Sequence, residues 1–266
     1  MLVLLPPSET KRVGGSDALD PTTLRTAGLL GDARDRVRAA LVELSSSDEE
    51  AAAKVLKLGV KNRAELAHNL DLEGSGALPA IERYTGVLYD ALDVSSLDAS
   101  ARRWIDRHVL VQSALFGLIR AGDRIPAYRL SGGSRLPRLG APLKRVWADA
   151  HAQLDWDDAG FVLDLRSKDY AALAPLPRGV GASLHVAHRG VDGNVRALNH
   201  FNKAAKGDLV RRLARSTPAI GSVAELVEWG RAEGLEFLLP EGSWELTLVT
   251  ELGAPAPASR SHGQAG

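Results

Sequence analysis

The chain has 266 residues, 45% apolar and 25% charged, enough for one large domain or two small ones around a substantial core. Lysine plus arginine equals aspartate plus glutamate at 33 each, so total charge argues for neither nucleic acid nor membrane, and any basic surface must be local. The absence of cysteine excludes disulfides, thiolate metal sites and cysteine nucleophiles and fits a reducing cytoplasm, and no apolar run approaches the roughly 18 residues of a membrane span.

Residues 2–5 are uniformly apolar and read as a buried strand stopped by Pro6 and Pro7. Ser8, Glu9, Thr10, Lys11 and Arg12 follow at its carboxyl end, where polar residues line sites in α/β folds; a surface loop is the alternative. Asp20-Pro21 opens a helical region, and residues 35–44 are amphipathic, with Val37, Leu41 and Leu44 at helical spacing. Three serines followed by Asp48, Glu49 and Glu50 predict a helix start with a serine cap and acids in its first turn.

Residues 48–70 read as two helices joined at Leu58-Gly59-Val60, the first ending near Lys57 and the second spanning 62–69. In this reading Gly59 permits the tight turn. The backbone N–H groups opening the second helix, with Lys57, Lys61 and Arg63 beside them, suit a phosphate. A plain αα-hairpin is the competing reading.

Residues 72–79 form a flexible loop, and 81–92 carry Tyr84, Thr85, Gly86 and Tyr89, with Val87, Leu88, Ala91 and Leu92 as a buried helix face. Residues 97–110 read as a helix with Trp104, Ile105, His108 and Val109 inward or at the boundary. The densest stretch is 110–133: seven apolar residues in ten, with Gln112 and Ser113 embedded, then a turn through Gly122-Asp123 and Pro126. Its apolar part is expected to be buried, as a short strand or helix start. Pro126 disfavours helix, so Tyr128 and Arg129 are expected to leave a rigid turn and face a surface or cleft. Gly132 and Gly133 behind them would let a backbone or an anion approach.

A helix over 142–151 begins with Pro142 at its first position. Residues 161–165 are a strand leading into Arg166, Ser167, Lys168, Asp169 and Tyr170, a second case of polar residues after a core strand. Residues 184–188 alternate like a half-exposed strand, with a hairpin turn at 190–193. Residues 199–213 form a helix with Lys203, Lys206, Arg211 and Arg212 on a basic face; that face is either solvated, or Lys203 and Lys206 share one anion. A helix over 222–234, strands over 235–239 and 244–249, and a disordered tail over 253–266 complete the chain.

Two functions fit these residues. One is backbone-directed, sequence-independent binding of double-stranded DNA through the hairpin and a local cationic cleft. The other is an enzyme acting on a phosphorylated or nucleotide-like small molecule, with cations holding the anion, Lys203 or Tyr170 as acid or base, and Ser167 as a nucleophile lacking a histidine partner. Direct iron binding is disfavoured, since the seven histidines show no ligand spacing and His185 and His188 fall on opposite faces of their strand. No metal or cofactor is expected.

Six blocks stand in order along the chain: residues 5–11 (LPPSETK), 84–86 (YTG), 116–120 (FGLIR), 126–130 (PAYRL), 165–170 (LRSKDY) and 202–207 (NKAAKG). Together they resemble the YaaA peroxide-stress protein family. The resemblance implies one mixed α/β domain over 1–252, with a mixed central sheet, surrounding helices, a helix-hairpin-helix element at 48–70 and a basic cleft. It implies DNA binding and protection from hydrogen peroxide by limiting damage from intracellular iron; a cytoplasmic location and a monomeric state are further expectations. Matching positions place Lys11, Tyr128, Arg129, Ser167, Tyr170, Lys203, Lys206 and Arg211 in the cleft. Many relatives carry Ser-Pro-Ala-Lys-Thr near the first strand; here the lysine is displaced to Lys11 behind Pro-Ser-Glu-Thr.

Overall fold

A computed structural model describes residues 1–189, 195–197 and 202–250. Strand β1 (Leu2–Leu5) buries Val3, Leu4 and Leu5 completely, which is why four apolar residues without alternation suffice there. Helix α1 (Ala27–Ser46) turns Leu30, Val37, Leu41 and Leu44 into the core. Helix α2 (Glu49–Leu56) follows directly. Its cap is Asp48 rather than a serine: the carboxylate accepts from the Ala51 N–H at 2.8 Å, while Ser47 closes α1 by donating to the Leu44 carbonyl.

The hairpin takes a different form from the expected pair of α-helices. Lys57, at φ 56°, supplies the left-handed residue that ends α2. Gly59 sits at φ −69° and ψ 162°, a conformation open to any residue, so glycine is not what makes this turn. The second arm begins as a 3-10 helix over Val60–Glu65, because the Asn62 N–H bonds three residues back to the Gly59 carbonyl, and becomes α3 (Leu66–Leu70) only afterwards.

Strand β2 (Leu78–Pro79) leads into α4 (Ala80–Arg83) and α5 (Val87–Leu92). Gly86 at φ 98° separates the two helices. Leu88, Tyr89 and Leu92 are buried, whereas Val87, expected on the core face, is exposed because it is the first residue after that break. Helix α6 (Ala99–His108) passes straight into β3 (Val109–Ser113), which pairs antiparallel with β4 (Gly117–Arg120). β5 (Arg124–Ile125) pairs with β2.

Then come α7 (Leu143–His151), with Pro142 at the cap rather than the first helical position, β6 (Val162–Asp164) and α8 (Lys168–Ala171). β7 (Gly181–Arg189) pairs antiparallel with β8 (Val195–Ala197). The hairpin turn expected at 190–193 lies outside the described residues, as do 199–201 and the tail. Helices α9 (Asn202–Ser216) and α10 (Val223–Ala232), then β9 (Glu236–Leu238) and β10 (Glu245–Val249), finish the fold.

The result is a mixed α/β domain. An eight-stranded sheet runs β4-β3-β1-β6-β7-β10-β9, with β8 added to β7. β3, β1, β6, β7 and β10 are mutually parallel. β1 is therefore central, and the chain visits β3 on one side of it before β6 on the other. That reversal makes the carboxyl ends of β1, β3 and β6 the switch point of the sheet, where open α/β sheets form crevices. Helices α2, α3 and α7 each pack on α1, and α9 lies against α5 and α6. Gly207 makes the α5–α9 approach possible, since a Cβ there would stand 2.1 Å from the Leu88 carbonyl oxygen. No helix among the described residues is long and apolar enough to cross a membrane.

Candidate functional site

The parallel register sends the segment after β1, the end of β3 and the segment after β6 out of one edge of the sheet. Lys11 arrives there by an antiparallel bridge to Tyr84. Its ammonium donates to the Ser8 and Glu9 carbonyls at 3.1 and 3.3 Å and lies 4.1 Å over the Tyr128 ring and 5.4 Å from that of Tyr84. Burial lowers its pKa to about 7; Arg129 pushes the same way, and Glu65 and Glu9 only partly oppose them.

Tyr128 and Arg129 were expected to face a surface or cleft. Instead they are buried, with Tyr128 only 2% exposed. Tyr128 meets Phe116 edge-on at 5.6 Å, and its hydroxyl lies 2.8 Å from both Ser113 and Tyr84. Arg129 is pinned at its backbone by Asn69, which accepts from its N–H at 2.7 Å and donates to its carbonyl at 3.0 Å. Its guanidinium reaches Glu9 at 3.2 Å and Glu65 at 3.3 Å. These contacts hold both residues inside, and the two carboxylates compensate the Arg129 charge locally. Asn69 and Glu65 belong to the second arm of the hairpin, which is thereby fixed against the site.

Tyr170 completes the cluster, its oxygen accepting from the Gly132 N–H at 3.1 Å. Burial raises the pKa of Tyr84, Tyr89, Tyr128 and Tyr170 alike, keeping all four phenols neutral. These are the only four tyrosines in the chain. Tyr84 also lines an adjacent cavity of about 540 Å³ with Arg12, Thr85, Tyr89, Asp93 and Arg102.

On the β6 side, Lys206 is buried and donates to the Leu165 carbonyl at 2.9 Å; burial lowers its pKa to about 8, with Asp164 opposing. Beneath it, Arg166 forms a two-pronged pair with Asp164 at 2.9 and 2.7 Å and donates to Gln112 at 3.1 Å.

Lys203 and Ser167 are exposed. Lys203 does not share the buried position of Lys206, whose ammonium is already donated to the Leu165 carbonyl. Arg211 is anchored to the Leu92 and Asp93 carbonyls at 2.9 Å. Lys57, Gly59 and Lys61 are exposed on the hairpin, and Arg63 faces Glu49 and Glu50 at 3.6 and 3.4 Å.

Glu65, Tyr84, Ser113 and Asn69 were not among the expected site residues, and Glu9 only as part of the polar stretch after β1. Ser113 had a signal, a hydroxyl inside an apolar strand; Glu65 and Asn69, on a hairpin arm, had none.

Comparison with known proteins agrees with the resemblance. Residues 1–238 match the family model described as Peroxide stress protein YaaA. A UPF0246 protein of Streptomyces coelicolor is 48% identical over 240 residues, covering 89% of this chain and 91% of its own length. One from Corynebacterium efficiens is 39% identical over 258 residues, covering 94% and 100%. A more distant UPF0246 protein, from Ruegeria pomeroyi, is 29% identical over 162 residues, 58% of this chain and 63% of its own. The chain belongs to the YaaA peroxide-stress family.

Proposed function

We propose that this family member serves the stress response by binding, and transferring protons to or from, a phosphorylated or nucleotide-like small molecule at the carboxyl ends of β1, β3 and β6. The observation that carries this reading is Lys11, a lysine seated between two tyrosine rings with only backbone carbonyls as hydrogen-bond partners. An amine whose pKa burial brings to about 7 is suited to acid–base work at neutral pH. Lys11, rather than Lys203, Tyr170 or Ser167, is the group to which the proton chemistry falls. The test is a thermal-shift screen of nucleotides and phosphorylated metabolites. At least one compound should stabilise the native protein and not Lys11→Met; a screen in which none does refutes the reading.

A second reading, sequence-independent binding of duplex DNA within the same stress response, rests on the hairpin. Its tip exposes Lys57, Val60 and Lys61, while Asn69 and Glu65 hold its base rigid. Two exposed lysines on a fixed turn can contact a phosphate backbone. Replacing both with alanine should weaken binding to random duplex equally for all sequences, reducing the salt slope by roughly 1 per lysine. Binding that is flat between about 50 and 200 mM salt in the native protein excludes this reading.

A further inference from the structure

The end of the sheet away from the Lys11 cluster holds a second cavity of about 420 Å³, within the size range of small-molecule sites. β6, β7 and β10 run parallel, with Val162 beside Gly181 and Glu245 beside Ser183, so their amino ends open on one edge. Each of these strands is entered through a turn on a left-handed glycine: Gly160 at φ 59°, Gly179 at φ 87° and Gly242 at φ 70°. A Cβ added at any of the three would meet no atom within 4 Å, so the space beside each turn is open. Phe161, and Gly221 and Ser222 at the start of α10, line the same cavity.

Two features set its chemistry. None of the residues lining it is charged, whereas the cavities beside Tyr84 and along α1 carry arginines and carboxylates. An ion entering it would find no counter-charge to offset its lost water. The lining also includes Trp244, which is 57% exposed, while Trp104, Trp147 and Trp156 are buried. The Trp244 carbonyl accepts from the Ser183 N–H at 2.9 Å, so the indole is carried by the sheet. A single exposed apolar residue needs no explanation. An exposed indole on an uncharged, glycine-walled cavity is different: it offers a flat π-face beside an apolar interior, the surroundings in which aromatic rings stack.

We propose that the amino ends of β6, β7 and β10 form a second ligand site, which takes an uncharged aromatic small molecule stacked on Trp244. The site is separate from the Lys11 cluster, and its occupancy does not depend on the chemistry there.

N-phenyl-1-naphthylamine, an uncharged aromatic dye whose emission rises in apolar surroundings, is the probe. Titrated into the full chain, it should bind saturably, one dye per chain, and quench tryptophan emission. Trp244→Ala should weaken binding at least about tenfold, the worth of one aromatic face and its buried area, and Trp244→Phe should restore most of it. Because the ring is more than half exposed, neither substitution disturbs the core. Lys11→Met should bind the dye as the native chain does. Absence of saturable binding, equal binding by Trp244→Ala, or binding lost in Lys11→Met overturns the proposal. So does a native chain that sediments as a dimer while Trp244→Ala sediments as a monomer, since a second copy then covers the indole.

Discussion

Replacing Lys11 by methionine isolates the energetic consequence of burying its ammonium. Burial lowers the lysine pKa from its ordinary 10.5 to about 7, chiefly by desolvation, which corresponds to roughly 4–5 kcal/mol. Part of the Lys11 side chain remains open to solvent, so this is an upper figure. Below pH 7 both folded and unfolded chains carry the proton, and the native protein bears the full desolvation cost. Between about pH 7 and 10.5 the unfolded chain keeps the proton that the folded one has released, so stability rises with pH across that window. Lys11→Met lacks this dependence, while losing the cation–π contact, worth on the order of 1 kcal/mol. Urea unfolding of both proteins at pH 6 and pH 10 cancels every other titrating group in the difference. The native chain should gain about 3–5 kcal/mol on Lys11→Met between the two pH values. Parallel pH profiles would show that the ammonium stays hydrated, and the acid–base assignment would fall with them.

Three further outcomes follow from packing and pairing. Gly207→Ala drives a Cβ into the Leu88 carbonyl oxygen and should destabilise the α5–α9 contact by about 3 kcal/mol or more, measured by thermal unfolding. Asp164→Asn leaves the Arg166 guanidinium buried without its counter-charge and should cost about 3–5 kcal/mol in urea unfolding; a smaller loss would mean that water enters beside it. Lys57→Gly removes the penalty of a left-handed non-glycine residue and should stabilise by about 1 kcal/mol, whereas Gly59→Ala, with no atom within 4 Å of the added Cβ, should be nearly neutral. The opposite ranking would show that Gly59 does shape the turn.

Much of the sheet was legible along the chain. Strand β1 coincides with the apolar run before Pro6-Pro7, since a central strand buried on both faces needs no alternation and proline cannot continue it. Local rules failed where two segments competed. Aspartate caps α2 because the preceding serine was already needed to close α1. Lys57, not the neighbouring glycine, takes the left-handed position, because the helix ends where its own carbonyls find partners.

The candidate site divides along the same line. Residues 8–11 and 166–170 were marked by their place after apolar strands, and Tyr128-Arg129 by the proline turn, because strand ends and turns are written in adjacent residues. Whether a cation faces water or the interior is not: Lys203 and Lys206 differ by less than one helical turn, yet one is exposed and the other buried. The grouping of Lys11, Ser113, Tyr84, Tyr128 and Tyr170, and the clamp of Arg129 by Asn69 and Glu65, joins residues from the first third of the chain to well past its middle. Residue type and order thus set the strands, the breaks and the chemical inventory. Parallel pairing of β3, β1 and β6 decided which of those groups met and lost their water, because desolvation and hydrogen-bond direction depend on neighbours that only tertiary packing brings together.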